Sequence, residues 1–342
     1  MTTAANNHGL KFDKKKIWGN IFKWGLIIGL LAFACYKNQE FMKDSLNEVS
    51  NTPVYKLILC MILANLFFIA EGCIISKMTA TGEKKLTIGQ GISCTYMCAF
   101  YRLTTLGSGN GIAQLYYYNT KGIPVAEATG MSISQYAFQK ITIGLFGVAS
   151  FIGVATVGSH ALLKYTWFML AGVVVISFIC LFLFLITVSK TISDFVMWLA
   201  RKIVKPTWKL HKRLDSAQEA INSLQSQSRL IWKDKTLFLQ VVFLNVFKFA
   251  CWYIIPGILF IGRYNINLIF ALTLMAVCNM LGCVMLAPSG VGTLDYVFSL
   301  LFGTVIPDGE VIAATIVLYR FFTWIVPFLI GIIPAAFLKK EN

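Results

Sequence analysis

Seven ionisable side chains lie within stretches apolar enough for a membrane interior: Glu71, Arg102, Glu127, Lys140, Lys248, Asp295 and Arg320. A charge at that depth is costly, so each is a candidate for binding substrate or for pairing with another. One of them, Asp295, belongs to a phrase that occurs twice, about 180 residues apart. The first copy is Ser108-Gly109-Asn110-Gly111-Ile112-Ala113-Gln114 and the second is Ser289-Gly290-Val291-Gly292-Thr293-Leu294-Asp295, both reading Ser-Gly-x-Gly-x-x-(Gln/Asp). A basic residue follows each at nearly the same remove, Lys140 after the first and Arg320 after the second. Glycine breaks in matching positions of two halves point to a carrier's central site. A half helix that starts just after such a break aims its positive end at an anion, and a lipid phosphate is one that fits. Lys140 and Arg320 would supply the charge, Arg320 in bidentate fashion. The candidate substrate-binding set is therefore Ser108, Gly109, Gly111, Gln114, Lys140, Ser289, Gly290, Gly292, Asp295 and Arg320.

Plainer roles compete for the same residues. Asp295 and Arg320 could form a structural bridge between packed helices. Lys248 has a stem long enough to snorkel, and Glu71 and Lys77 sit near a span end where they could do likewise. Serine and glycine at breaks also allow close helix packing, and Tyr116-Tyr117-Tyr118 suits an interfacial aromatic belt. Signatures of soluble enzymes are absent. His8, His160 and His211 are far apart, and no Ser-His-Asp grouping, P-loop or HExxH occurs. Gly107–Gly111 reads GxGxG, but no strand precedes it. The nine cysteines lie in or beside apolar runs without a CxxC pair, so neither a disulfide frame nor a metal site is expected, and no cofactor.

The elements that must position these groups are membrane helices. Of 342 residues 57% are hydrophobic and 13% charged, with mean hydropathy +0.70. No soluble domain of this length could cover its surface with so little charge. Runs at 17–36, 54–75, 165–188, 237–261 and 312–338 reach the roughly 20 residues that cross about 30 Å of hydrocarbon. The expected fold class is an all-α polytopic membrane protein of about eight transmembrane helices. Two glycine-rich, broken, re-entrant segments interrupt it, in an inverted repeat. Its parts are a basic tail (1–16), a first membrane half (17–189), a basic amphipathic linker (190–235), a second half (236–338) and a short tail (339–342). A helix is predicted over 125–157, opened by Pro124, and a half helix over 295–302.

The formal charge of +15 sits at span ends rather than on a nucleic-acid-binding face, so no direct nucleic-acid partner is expected. Lys14–Lys16 and the cluster from Lys190 to Lys235 place both termini in the cytoplasm of a bacterial inner membrane. The first apolar run, preceded by lysines, reads as a retained anchor rather than a removed signal.

Three segments together resemble the lysylphosphatidylglycerol synthase transmembrane-region family: 106–118, 287–296 (Ala-Pro-Ser-Gly-Val-Gly-Thr-Leu-Asp-Tyr) and 318–327 (Leu-Tyr-Arg-Phe-Phe-Thr-Trp-Ile-Val-Pro). This is the flippase portion of the bacterial multiple peptide resistance factor and its stand-alone relatives. The resemblance implies a lipid flippase tied to resistance against cationic antimicrobial peptides. Here Ser289-Gly290 stands for the usual glycine pair, Asp295 for the usual glutamate, and Gln114 where an acid is common. No acyltransferase domain is expected after Lys340. The expected function is movement of a phospholipid such as lysylphosphatidylglycerol, or of a polyprenyl-linked lipid, between leaflets. The alternatives are a lysyl-tRNA-dependent phosphatidylglycerol lysyltransferase completed by a separate synthase domain, and a scaffold docking a glycosyltransferase on the basic linker. The expected partner is membrane phospholipid, with a homodimer left open.

Overall fold

The structure is a computed structural model. It describes residues 39–82, 84–105, 109–157, 160–203, 214–285 and 292–338. The first apolar run, the lysines at 14–16, Ser108, Ser289, Gly290 and the end of the chain lie outside the described residues. The described residues are helical, with no β-strand. Residues 1–51 and 52–342 form two units. The first contains α1 (Gln39–Ser50), and everything below concerns the second.

Five stretches are long and apolar enough to cross a membrane. They are α2 (Val54–Thr79), α5 (Val125–Val157), α7 (Thr166–Val188, preceded by the single turn α6, His160–Leu163), the pair α10 (Lys235–Tyr253) with α11 (Ile255–Phe260), and the pair α14 (Gly309–Arg320) with α15 (Val326–Leu338). Pro256 marks the join of α10 and α11. A π-helical turn, Phe321–Ile325, joins α14 to α15. Pro327 has no amide to give the carbonyl four residues back, which helps explain the widened turn beside it. Four shorter helices complete the membrane part: α3 (Ile88–Thr104), α4 (Asn110–Thr120), α12 (Leu268–Val284) and α13 (Thr293–Phe302). Polar caps start several helices where the sequence allows. Thr87 and Gln90 form a capping box on α3, Asp234 accepts from Thr236 and Leu237 on α10, and Asn267 caps α12.

Side-chain contacts fix the directions. Lys56 Nζ, at the start of α2, donates to the carbonyls of Leu259 (3.0 Å) and Ile261, at the end of α11. Lys77 Nζ, at the other end, donates to Gln240 Oε1 at the start of α10 (2.7 Å). The two helices therefore run antiparallel. α3 leaves the Lys77 end, and α4 returns to it, where Leu86 and Ile123 share one apolar cluster. α12 and α13 make the matching excursion from the opposite end, with Phe260 packed on Phe298 and Phe302 and Tyr264 donating to Asp308 Oδ2. Both excursions are helical hairpins, and they start from opposite ends of α2.

The packing repeats under the same exchange. α3 lies antiparallel on α15, with Arg102 over Trp324 and Phe100 stacked on Phe328. α5 lies antiparallel on α12, with Lys140 at Cys283 and Gly147 against Met280. Matching α2 to α10–α11, α3 to α12, α4 to α13 and α5 to α14–α15 carries one contact into the other. These contacts follow the pattern that the expected inverted repeat requires. The α2–α3 crossing is very close: a Cβ on Gly72 would lie 2.5 Å from the backbone nitrogen of Ile92.

The span α7 and two further helices, α8 (Lys190–Ile203) and α9 (Leu214–Lys233), lie between the two copies and outside this repeat. α8 carries exposed Phe195, Trp198 and Ile203 beside Arg201 and Lys202. The polar stretch 214–229, which by sequence could be a short cytoplasmic helix, is helical and continues to Lys233 as α9, which packs on α5 and α7. Its Gln225 Nε2 donates to the Ile186 carbonyl (2.7 Å), and its Ser228 meets Ser134 of α5 (3.2 Å).

Candidate functional site

Two polar centres stand at membrane depth. The first joins the halves. Lys248 of α10, fully buried, forms an ion pair with Glu71 Oε2 of α2. The other carboxylate oxygen accepts from Gln135 Nε2 (2.5 Å) and from Gln139, both on α5. Gln114 of α4 donates through Nε2 to Gln135 Oε1 (2.6 Å) and to the Tyr118 hydroxyl (2.9 Å). Phe67 and Phe249 flank the ammonium at 5.4 and 5.1 Å. Lys248 and Glu71 therefore do not snorkel. The sequence named both as ionisable groups in spans, but only the fold brings residues 71 and 248 together.

A cavity of about 610 Å³ opens beside this centre between α2, α3, α4 and α5. Its wall is mixed. Phe67, Phe68 and Ile133 supply apolar surface, and Glu71, Arg102 and Gln114 supply polar groups. Ile112 and Tyr136 line it and are 72% and 54% exposed, so the cavity opens outward between α4 and α5.

The second centre is at the other hairpin. Gly292, at φ 80°, makes the turn into α13, a conformation that favours glycine. Its amide donates to Asp295 Oδ2 (3.2 Å), while Asp295 Oδ1 accepts from Arg320 Nε (2.9 Å). The expected pairing of Asp295 with Arg320 is present. The anion at the positive end of α13 is the chain's own carboxylate. Arg320 also lies 4.5 Å from the centre of the Trp324 ring, and Arg102 lies 5.3 Å from it. One indole therefore links the Asp295–Arg320 pair to the cavity wall.

Of the expected set, Gly111 and Gln114 line the cavity, while Lys140, Gly292, Asp295 and Arg320 do not. Gly109 opens α4, its amide held by Thr105 Oγ1 (2.6 Å). Lys140 does not face Gln114 across a shared chamber. It sits at the tip of α12, donating to Cys283 Sγ (3.6 Å) and lying 5.3 Å from the Tyr136 ring centre. Ser108, Ser289 and Gly290 fall outside the described residues. Gln135 and Gln139 enter the site without having been singled out, and Arg102, named among the ionisable groups within spans, enters it from outside the expected set. Arg102 carried a signal, as a lone cation within a diluted apolar stretch.

The fold, with its two inverted hairpins, can be set beside known proteins. A family model described as the lysylphosphatidylglycerol synthase TM region matches residues 20–331. The chain belongs to that family. A comparison with curated proteins finds no match. Within the lysylphosphatidylglycerol synthase TM family, this chain is a multi-pass membrane protein of a lipid-related class, and its cavity is the feature that bears on what it handles.

Proposed function

We propose that this protein carries a phospholipid between the leaflets of a bacterial inner membrane. The observation that carries the reading is the cavity. It lies among membrane-spanning helices, has polar and apolar walls, and opens sideways where Ile112 and Tyr136 are exposed. A headgroup would leave the aqueous side and occupy the polar end. Its acyl chains would stay in the bilayer, since about 610 Å³ suits a drug-sized group and not two long chains. The inverted repeat supports a carrier, because rocking one half against the other exposes a central site to each side in turn. The basic side, with Lys77, Lys85 and α8, would be cytoplasmic. The coarse family assignment and the buried polar network agree with this reading.

The test is reconstitution. Proteoliposomes holding the full chain and a trace of headgroup-labelled phosphatidylglycerol are treated with a membrane-impermeant quencher. The expected result is loss of the inner-leaflet signal at least about tenfold faster than in protein-free vesicles, equivalent to ~1.4 kcal/mol off the barrier. Equal rates would reject the proposal.

A further inference from the structure

We infer that α8 is a membrane-surface anchor: its open face seats in the anionic headgroup layer of the leaflet where α7 ends, and it thereby steadies the cavity wall behind it. The second part rests on the lipid-carrier reading above, and the first does not.

α8 carries two apolar strips, and the protein covers one of them. Met197 is buried and, with Ala200, packs on Leu214 and Ile221 of α9. Phe195, Leu199 and Ile203 recur at every fourth residue, so they form a second line on another side of the helix. All three are exposed, as is Trp198, whose ring stacks on that of Phe195 with centres 5.9 Å apart. Lys190, Asp194 and Arg201 occupy the remaining side. A polar helix that turns four large apolar side chains outward needs an apolar phase to cover them.

Position decides which phase that is. α7 is long and apolar enough to be a span, and only Ser189 separates it from α8. Ser189 is extended (φ −105°, ψ 115°), which breaks the helix and turns the chain. α8 thus begins at the edge of the bilayer, and the apolar phase nearest its open face is the bilayer itself. Its cations suit the headgroups there. Lys202 Nζ lies 5.1 Å from the centre of the Trp198 ring, beside the apolar line, as a snorkelling lysine does. Lys190 and Lys202 have no carboxylate partner among the described residues, so both are available to lipid phosphates. Helices with this arrangement of strips lie in the headgroup plane. A soluble partner would have to displace lipid from a face that already borders it.

The covered side of α8 leads to the cavity. Arg201 pairs with Asp215 of α9 (3.2 Å). Gln225 Nε2 of α9 donates to the Ile186 carbonyl, the Ser189 carbonyl and Ser193 Oγ (2.7, 3.3 and 3.1 Å), so one amide pins the elbow between α7 and α8. α9 in turn lies hard against α5, where a Cβ on Gly130 would come within 2.5 Å of the Ser223 carbonyl oxygen. Ser132, Ile133, Gln135 and Tyr136, just beyond that contact, line the cavity. Lifting α8 off the surface therefore loosens the wall that α9 braces.

The test uses the full chain in lipid nanodiscs. Emission from Trp198 is taken as the difference between wild type and Trp198→Phe. Lipids brominated just below the headgroup should quench it more strongly than aqueous acrylamide does. Backbone amides of residues 190–203 should exchange with deuterium at least about tenfold more slowly in discs containing phosphatidylglycerol than in discs of phosphatidylcholine alone. Lys190→Gln combined with Lys202→Gln should erase that difference. Stronger quenching by acrylamide, equal exchange in the two kinds of disc, or a difference that survives loss of both lysines overturns the inference. A dimer or a bound cytoplasmic protein that is lost in Phe195→Ser with Ile203→Ser, without lipid quenching in the wild type, would give the face to that partner and overturn it too. In proteoliposomes of fixed composition, the same double variant should slow phosphatidylglycerol translocation several-fold, and wild-type rates overturn the link to the cavity wall. Docking by a wild-type protein that moves no lipid would reject the carrier reading and leave the anchor. Translocation without docking would do the reverse.

Discussion

Lys248→Met should lower the stability of the folded protein by about 3–5 kcal/mol, because it leaves the Glu71 carboxylate buried without its counter-charge. Glu71→Gln should cost a comparable amount by stranding a fully buried ammonium. Combining the two should recover most of the loss. A neutral amide at 71 still accepts from Gln135 and Gln139, and a methionine at 248 fills the space between Phe67 and Phe249. Thermal unfolding of the four proteins in detergent closes the cycle. Additive losses would show that the pair contributes nothing as a pair. The effect should be large because Glu71 binds three partners on two helices and so ties α2 to α10 and α5.

The second large effect is on transport. Asp295→Ala and Arg320→Ala should each slow lipid translocation at least about tenfold while the protein still inserts. Asp295 holds two things at once, the first turn of α13 and the Nε of Arg320. Losing it uncaps the half helix, at about 0.5–2 kcal/mol, and removes the carboxylate from a guanidinium that also packs on Trp324. Arg320→Lys should restore little, since an ammonium cannot reproduce the planar contact with both the carboxylate and the indole. Exchanging the two charges separates the roles. Asp295→Arg with Arg320→Asp would keep an ion pair but place a cation at the positive end of α13. It should therefore remain slow. Full rates in both alanine variants would remove the pair from the mechanism, and full rates in the exchanged protein would leave it only a bridging role.

The sequence disclosed the helices and the hairpins because both rest on local physics. Apolar length sets the spans, and the two Ser-Gly-x-Gly phrases set the breaks. Asp295 and Arg320 could be paired on paper because both follow the same break, 25 residues apart in one half. Glu71 and Lys248 could not, since 177 residues separate them and nothing local marks them as partners. The polar run before Arg229 suits a cytoplasmic helix, yet it packs on α5 and α7 and bonds to them through Ser228 and Gln225. By spacing, Gln114 matches Asp295 and Lys140 matches Arg320. The fold sends Lys140 to the tip of α12 and Gln114 to the cavity, because α4 and α13 begin at different points of the shared phrase.

The path of the lipid is tested most directly by filling it. A Cβ on Gly111 would meet nothing within 4 Å, and the residue lines the cavity, so Gly111→Trp can occupy the space without forcing the helices apart. Gly89, on the first turn of α3 and outside the cavity lining, has equally open surroundings and serves as the control. In proteoliposomes, Gly111→Trp should reduce phosphatidylglycerol translocation to the protein-free rate, and Gly89→Trp should leave it at the wild-type rate. Wild-type translocation by Gly111→Trp would contradict the account.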